Sequence, residues 1–215
     1  MFISEEFTQF DGNLLIGIQH ALNADWLTPI MKFFSFLGEA GWFVILLCFI
    51  MVVYKKTRKL GLVCSVALLV TFIICNLVIK ILVARTRPWV LFEGVNRMLA
   101  DPGDSSFPSG HSTNCMAMAY TFWLYTRPGK TDGKKDWNAG PELGWNAPGA
   151  NRKRLHMLSI ATVIMALLIA LSRLYLGMHF PADVICGLLL GIIVPTIVYA
   201  IFIKIEEKHA KITQQ

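Results

Sequence analysis

Long apolar segments constrain this chain more than any other feature of its sequence. Residues 184–203 contain no charged side chain, and residues 60–84 contain only one, Lys80. Crossing the hydrocarbon core of a bilayer takes about 20 mostly apolar residues, so both segments are long enough to span it. The whole chain is 55% hydrophobic and 16% charged, with a mean hydropathy of +0.55, whereas soluble domains are about 25% charged. We therefore expect an integral-membrane protein.

Three shorter apolar segments extend this pattern: residues 41–54, 113–125 and 155–171. Upstream, residues 13–22 and 27–37 are also apolar, but neither is long enough to span a bilayer alone. They form either interfacial amphipathic helices or, together, one broken span. The sequence thus predicts an all-α polytopic membrane bundle of five to six transmembrane helices. We divide it into an N-terminal part (1–37), a membrane domain (38–204) and a tail (205–215).

The basic residues lie in short clusters between the apolar segments. Residues 54–60 carry four of them and residues 127–154 carry seven. Lysine and arginine are enriched in cytoplasmic loops, so both loops and, by alternation, the C-terminal tail should be cytoplasmic. Residues 85–110 and 173–183 then meet on the extracytoplasmic face. A net charge of +6 distributed in this way indicates membrane loops and no nucleic-acid partner.

Other composition signals predict no metal and no leader. The five cysteines are scattered through apolar segments, without zinc-ligand spacing. The acidic N-terminus MFISEEFTQFDG differs from the basic start of a signal peptide, so we expect no cleavable targeting segment. Gly and Pro are dense in the loop 127–154, which predicts an irregular connector.

The first polar cluster, KILVARTRP, begins at Lys80. A charge inside an apolar segment is costly unless it has a partner or a function. Arg87 follows seven positions later, so both side chains should share one helical face, and Pro88 predicts that the helix ends near it. Asn76, one turn before Lys80, could orient the ammonium group. Alternatively, Lys80 snorkels while Arg85 and Arg87 are surface charges.

The second cluster is the tetrapeptide 108–111, Pro-Ser-Gly-His, which precedes an apolar segment. The backbone N–H groups at a helix start and the helix dipole favour an anion there. Ser109 can cap the helix or bond a phosphate oxygen. An ordinary capped helix with an incidental His111 remains the alternative.

The third cluster, SRLYLGMHFPAD, begins at Ser172. Pro181 suits the first turn of a helix, which places His179 at its mouth and Asp183 four residues further on. A carboxylate there can fix the imidazole tautomer and present the other nitrogen as a base or a nucleophile. Arg173 has a planar fork that suits phosphate. A capped helix with a surface histidine is the alternative.

The predicted topology places all three clusters at one membrane face. Phosphoryl transfer needs cations for the equatorial oxygens, a nucleophile in line, and an acid for the leaving oxygen. The three clusters together contain such a set. Asp101 and Asp104 lie between the first two clusters, where tuning of head-group choice and simple loop solubility are both open. Glu39 is expected to anchor a helix end at the interface.

These motifs resemble the three-part signature of the phosphatidic acid phosphatase type 2 superfamily, K-x6-R-P, P-S-G-H and S-R-x5-H-x3-D. Every fixed position matches, in the family's order, and the resemblance covers residues 38–203. The matching positions are Lys80, Arg87, Pro88, Pro108, Ser109, Gly110, His111, Ser172, Arg173, His179 and Asp183.

The resemblance implies a role for each polar residue of the site. His179 would attack phosphorus and carry a phosphohistidine, with Asp183 orienting it. His111 would protonate the leaving oxygen and then activate water. The phosphoryl oxygens would be held by five groups: Lys80, Arg87, Ser109, the Gly110 amide and Arg173. The family needs no metal or other cofactor, and none is expected here.

The expected function is therefore a metal-independent lipid phosphatase in the cell membrane. By family analogy the favoured substrate is a polyprenyl diphosphate such as an undecaprenyl carrier. A phosphatidic acid or phosphatidylglycerophosphate phosphatase, and a lipid phosphotransferase with the same site, remain alternatives. A non-catalytic membrane transporter or scaffold is an alternative of a different class. The sequence leaves the oligomeric state open.

Overall fold

The computed structural model describes residues 3–137 and 152–213. Residues 138–151, which make up half of the predicted irregular loop, lie outside the described residues. The elements in chain order are α1 (Glu5–Leu22), α2 (Leu27–Leu37), a 3-10 turn (Glu39–Gly41), α3 (Trp42–Val53), a second 3-10 turn (Lys55–Thr57), α4 (Arg58–Phe72), a π-helical stretch (Ile73–Ile79), α5 (Lys80–Val83), α6 (Pro88–Leu91), α7 (Gly110–Thr126), β1 (Gly129–Thr131), β2 (Lys134–Asp136), α8 (Arg152–Tyr175) and α9 (Pro181–Thr213).

Helix α7 forms the centre of the bundle and packs against α4, α8 and α9. Most of its side chains are buried. Two glycines of α9 allow the close approach to α7. A Cβ at Gly187 would lie 2.8 Å from the Ser109 carbonyl oxygen, and one at Gly191 would lie 2.7 Å from Met116 Cβ. Small residues at this spacing let helices pack closely where lipid leaves no hydrophobic driving force between them.

The helical bundle confirms the predicted fold class, an all-α polytopic membrane protein. Three helical stretches of the described chain are long and apolar enough to cross a bilayer: Lys55–Leu91, Arg152–Tyr175 and Pro181–His209. Their outward faces carry exposed Ile, Leu, Val and Phe side chains, as a lipid-facing surface requires. The total of five to six spans stays a prediction.

The N-terminal helices leave both of their predicted arrangements open. Helix α2 and the stretch Glu39–Val53 together pass the same length and apolarity test, with a bend of 42° between them. The bend lies at Ala40 and Gly41, whose φ angles are 48° and 70°. Helix α1 is docked on the bundle, since Asp11, Gly12, Leu15 and Gln19 are buried. The domain boundaries remain predictions.

The helix of the first polar cluster ends earlier than predicted. Helix α5 stops at Val83 because Ala84 adopts a left-handed conformation with φ 45°. Arg87 then precedes the separate short helix α6. Lys80 and Arg87 therefore do not share one helical face, and the prediction that the helix runs to Pro88 is wrong.

A hairpin replaces the start of the predicted irregular loop. Strands β1 and β2 pair antiparallel across Asp132 and Gly133, which both have positive φ. Two such residues form the type I′ turn that matches the twist of a β-ribbon, and an Asp-Gly pair favours it. The density of Gly and Pro predicts only an irregular loop, whereas the Asp132-Gly133 pair within it is the local signal for this hairpin turn.

The predicted cytoplasmic segments lie at one end of the bundle. Lys59 at the start of α4 forms a 3.2 Å ion pair with Glu206 near the end of α9. At the same end, Arg152 Nη1 donates a 3.0 Å hydrogen bond to the carbonyl of Tyr125. Tyr125 in turn packs on Phe202 of α9. The three motif clusters lie at the opposite end, where α5, α7 and α9 have their other termini.

Candidate active site

The three motif clusters converge on one cavity of about 550 Å³. Six of the eight predicted site residues line it: Lys80, Arg87, Gly110, His111, Arg173 and His179. Ser109 and Asp183 lie behind its wall and are fully buried. The combination of cations, imidazoles and a helix N-terminus suits a phosphoryl group.

His179 lies in the connector between α8 and α9, with 2% of its side chain exposed. Burial, aided by the charges of Arg87 and Arg173 and opposed by Asp183, lowers the pKa of His179 to about 3. The imidazole is therefore neutral at neutral pH. A neutral ring has one nitrogen with a free lone pair, as a nucleophile requires.

The contacts of His179 indicate which nitrogen is available. Arg87 Nη1 lies 3.0 Å from His179 Nε2 and 3.5 Å from Nδ1, so this contact involves both ring nitrogens and does not select the tautomer. Asp183 selects it, because its carboxylate can only accept and its Oδ2 lies 3.6 Å from Nδ1; the proton is therefore assigned to Nδ1 and the lone pair to Nε2. This separation exceeds a hydrogen bond, so Asp183 acts on the ring electrostatically in this arrangement.

Asp183 is fixed by a dense set of donors at the start of α9. Its Oδ1 accepts a 2.5 Å hydrogen bond from Arg85 Nη1. Its Oδ2 accepts from the Phe180 backbone N–H at 3.0 Å and from the Ser106 hydroxyl. The Asp183 carbonyl also accepts from the Ser109 N–H at 3.0 Å, which ties the start of α9 to the start of α7. The carboxylate orientation is therefore set before any substrate arrives.

Asp104 brings Lys80 and Arg87 together. Its two carboxylate oxygens form ion pairs with Lys80 Nζ and Arg87 Nη2, and its carbonyl accepts from Arg87 Nε at 3.1 Å. Burial opposes ionisation, but hydrogen bonds and charge from Lys80 and Arg87 outweigh it and hold the pKa of Asp104 below its usual value. The amide nitrogen of Asn76, a residue that could orient Lys80, donates to the Phe72 carbonyl.

His111 lies at the first turn of α7 and faces Glu39. Glu39 Oε2 is 3.7 Å from His111 Nε2, and this nitrogen has no hydrogen-bond partner among the described residues. Gly38 makes room for the ring, since a Cβ there would lie 2.7 Å from His111 Cδ2. Glu39 therefore contacts the second histidine of the site instead of serving only as an interface anchor.

Ser109 shows one of the two roles left open for it. Its hydroxyl oxygen accepts from the Ser112 N–H at 3.4 Å and from the Ser112 hydroxyl at 2.9 Å. This is the helix-capping role, and the side chain does not line the cavity. Arg173 Nη1 donates to the hydroxyl of Ser35 on α2, while Arg173 Nε is buried without a partner in the described structure.

Sequence reasoning assigned no site role to four residues around this site, Asp11, Ser35, Arg85 and Ser106, and left head-group tuning or loop solubility open for Asp104. The contacts of these residues join segments that are distant in sequence, so no local spacing could reveal them. The available signal was weak: Arg85 and Asp104 are charges close to the motifs, but a charge near a helix end is equally typical of an exposed surface position.

Replacing Asp104 tests whether its carboxylate occupies the anion site. We expect Asp104→Asn to lower the Kd of inorganic phosphate about three- to tenfold. Phosphate then no longer has to displace the ion pairs of Lys80 and Arg87 with a half-exposed carboxylate, which contribute roughly 1 kcal/mol. The pKa of Asp104 is lowered, so the carboxylate stays ionised and competes with phosphate for Lys80 and Arg87 at neutral pH. This competition is lost only as the pH falls through that lowered pKa. Isothermal titration calorimetry at neutral pH measures the difference.

The control for this substitution is Asp101→Asn. Asp101 lines the same cavity, but its carboxylate contacts Arg97 at 3.8 Å and the Gly103 N–H at 2.8 Å and neither Lys80 nor Arg87, so its loss should leave the phosphate Kd within twofold of wild type. Weaker phosphate binding by the Asp104 variant would contradict the competition and assign Asp104 a supporting role.

Known proteins resemble this chain in both sequence and fold. A family model described as the PAP2 superfamily matches residues 59–207. The chain is 29% identical over 166 residues to the undecaprenyl-diphosphatase of Sulfolobus acidocaldarius, covering 77% of this chain and 66% of that protein. It is 30% identical over 171 residues to phosphatidylglycerophosphatase B of Bacillus subtilis, covering 78% and 71% respectively.

A solved structure has the same fold over nearly the whole chain. The crystal structure of a transmembrane PAP2-type phosphatidylglycerolphosphate phosphatase from Bacillus subtilis aligns with a TM-score of 0.68 at 23% identity. The alignment covers 94% of this chain and 89% of that one. The family model spans more than half of the chain and all three motif clusters, and the predicted family is confirmed: this chain belongs to the PAP2 superfamily.

Proposed function

We propose that this chain is a membrane phosphatase that removes phosphate from a lipid through a phosphohistidine on His179. The observation that carries the proposal is the position of His179 Nε2. It is buried, assigned an unprotonated lone pair, and lies 3.0 Å from Arg87 in a cavity that also contains Lys80 and Arg173. A nucleophile facing several cations is the arrangement that phosphoryl transfer requires.

The first chemical step forms a bond between His179 Nε2 and phosphorus. The bond from phosphorus to the leaving oxygen breaks, and His111 gives that oxygen a proton. Lys80, Arg87, Arg173 and the Gly110 amide stabilise the charge on the three equatorial oxygens. The positive charge that develops on the imidazole is stabilised by Asp183.

The second step releases inorganic phosphate. His111, now neutral, accepts a proton from water as the water oxygen attacks phosphorus, and the nitrogen–phosphorus bond to His179 breaks. No metal takes part in this proposal. Replacing water by a lipid or sugar hydroxyl would give a phosphotransferase with the same residues.

A lipid substrate is supported by an apolar groove that joins the polar cavity. The groove has a volume of about 520 Å³, runs between α3 and α4, and is lined by side chains including Val44, Phe49, Leu68 and Leu69. Four residues line both spaces: Ala40, Gly41, Phe72 and Asn114. A phosphate in the cavity can therefore remain attached to a hydrocarbon chain in the groove.

The charge distribution supports an extracytoplasmic site. The basic segments around Lys59 and Arg152 lie at the end of the bundle opposite His179. The positive-inside rule assigns that basic end to the cytoplasm, which leaves the cavity at the outer head-group level.

A polyprenyl diphosphate is the favoured substrate class. The relative from Sulfolobus acidocaldarius is named an undecaprenyl-diphosphatase. Phosphatidylglycerophosphate is the second candidate, because the Bacillus subtilis relative is named for it. A transporter or scaffold without catalysis would not need His179 and His111.

A phosphate-release assay over a lipid panel tests the proposed function. We expect the purified protein in detergent to release phosphate with the highest kcat/KM from a polyprenyl diphosphate, and less from phosphatidylglycerophosphate and phosphatidic acid. His179→Ala should lower kcat by about 10³-fold or more, since the nucleophile is lost. His111→Ala should also lower kcat strongly, because proton transfer contributes about 10²–10⁴-fold.

The matched control is His20→Ala, an exposed histidine on α1, which should retain wild-type activity. Release of no phosphate from any lipid, or full activity of His179→Ala, would overturn the proposal. Appearance of a phosphorylated acceptor when lipid or sugar alcohols are added would identify a phosphotransferase instead.

Narrowing the groove tests whether it holds the lipid chain. Ser65 lines the groove, and Ser65→Phe should raise KM about tenfold for a long-chain substrate, because the added ring occupies the chain's path. Hydrolysis of a water-soluble phosphomonoester should change less than twofold. Steady-state kinetics on both substrates make the comparison.

The adjacent residue provides the control. Val66 is exposed on the outer face of α4, so Val66→Phe should leave both KM values unchanged. An equal loss of activity on the long-chain and the water-soluble substrate in Ser65→Phe would mean that the groove does not bind the chain.

A further inference from the structure

Helix α1 places a buried carboxylate behind the candidate active site. Asp11 is 2% exposed, and its Oδ2 accepts a 2.8 Å hydrogen bond from Arg85 Nη2. Its Oδ1 accepts a 3.1 Å hydrogen bond from the Ala182 N–H in the first turn of α9. Asp11 lies outside all three motifs and outside residues 59–207, which match the family model.

Arg85 connects this carboxylate to Asp183. Its Nη1 donates to Asp183 Oδ1 at 2.5 Å, while Nη2 is held by Asp11. The guanidinium also lies 3.9 Å from the centre of the Phe180 ring. The three charged side chains are each at most 5% exposed, so little solvent screens their interactions.

The charges of this buried triad do not cancel. Burial raises the pKa of Asp11, while the hydrogen bonds from Arg85 and the Ala182 N–H oppose that rise. With both carboxylates ionised, the two carboxylates and one guanidinium sum to one negative charge. If Asp183 alone faced Arg85, the pair would be neutral and its field at His179 would be weak. Because Asp11 shares the guanidinium, part of the Asp183 charge stays uncompensated, 3.6 Å from His179 Nδ1.

Helix α1 is fixed well enough to hold Asp11 in register. Gln19 Nε2 donates to the carbonyls of Asn96 and Tyr175, both at 2.9 Å. Gly12 lies directly against the ring of Phe92, where a Cβ would come within 2.3 Å of Cζ. Phe92 in turn packs edge-on against Phe180 beside the triad. The position of Asp11 is thus set by contacts with two segments that carry site residues.

We propose that Asp11 is a positioning residue for the nucleophile. It fixes Arg85 and leaves Asp183 with the negative charge that orients His179 and stabilises its positive ring during attack on phosphorus. The inference rests on the proposed function, and it gives the N-terminal helix a part in the chemistry. Asp11 does not contact the phosphate cavity, so its effect should appear in the rate of phosphoryl transfer and not in substrate binding.

The test compares Asp11→Asn and Asp11→Glu with wild type in detergent, using Asp25→Asn as a matched control. Asp25 is an exposed carboxylate of the same N-terminal region. We expect Asp11→Asn to lower kcat about 10- to 100-fold with KM within threefold, because Lys80, Arg87 and Arg173 are untouched. Asp11→Glu should recover part of kcat, since it restores the charge. Asp25→Asn should stay within twofold of wild type.

A second measurement separates this inference from the proposed function. Nitrogen-15 NMR of histidine-labelled protein reads the His179 tautomer without any substrate, with the resonance assigned by its absence in His179→Ala. Wild type should show a protonated Nδ1, and Asp11→Asn should show a mixture of tautomers. If wild type releases no lipid phosphate, the proposed function fails and the NMR comparison alone decides this inference.

Three results would overturn the positioning role. The first is a kcat within twofold of wild type for Asp11→Asn, and the second is an unchanged His179 tautomer in that variant. The third is a lower Tm with kcat lost equally in Asp11→Asn and Asp11→Glu, which would mean that Asp11 only holds α1 on the bundle.

Discussion

Pairing of buried charges at one end of an apolar bundle is the constraint on which the site depends. A charge removed from water is strongly destabilising unless it is paired and hydrogen-bonded. Arg85 meets this condition between Asp11 and Asp183, and the pairing joins α1 to α9 through the segment that follows α5. The same contacts that make these charges tolerable also fix Asp183 beside His179.

The cations of the phosphate cavity are also paired, but their partner, Asp104, can be replaced by a phosphoryl group. Lys80 lies in α5 and Arg87 in the segment just before α6, and both pair with Asp104, a half-exposed carboxylate in a loop. A phosphoryl group offers more negative charge and more acceptors than this carboxylate, so it can replace Asp104 without leaving the cations unpaired. The triad of Asp11, Arg85 and Asp183 is buried and has no such exchangeable member. The site therefore combines a fixed group of charges that orients His179 with a cavity that is open to the phosphate.

The predictable part of this molecule is the part encoded in local spacing. Apolar segment length predicted the membrane bundle, and the motifs predicted that His111, Arg173 and His179 converge. Lys80 and Arg87 were expected on one helical face, but the left-handed Ala84 ends that helix and the Asp104 carboxylate pairs with both cations instead. Asp11 could not be predicted, because its partner Arg85 is 74 positions away and only the tertiary packing of α1 brings them together.

Trapping the phosphoenzyme tests the central claim most directly. Rapid acid-free quenching of the protein with substrate labelled in the transferred phosphate, followed by peptide mapping, should place the label on His179. The bond should be stable in base and labile in acid, as a phosphoramidate is, and the label should persist longer in His111→Ala, which lacks the base that activates water. Continued turnover with no labelled intermediate, or with label on a different residue, would contradict the account.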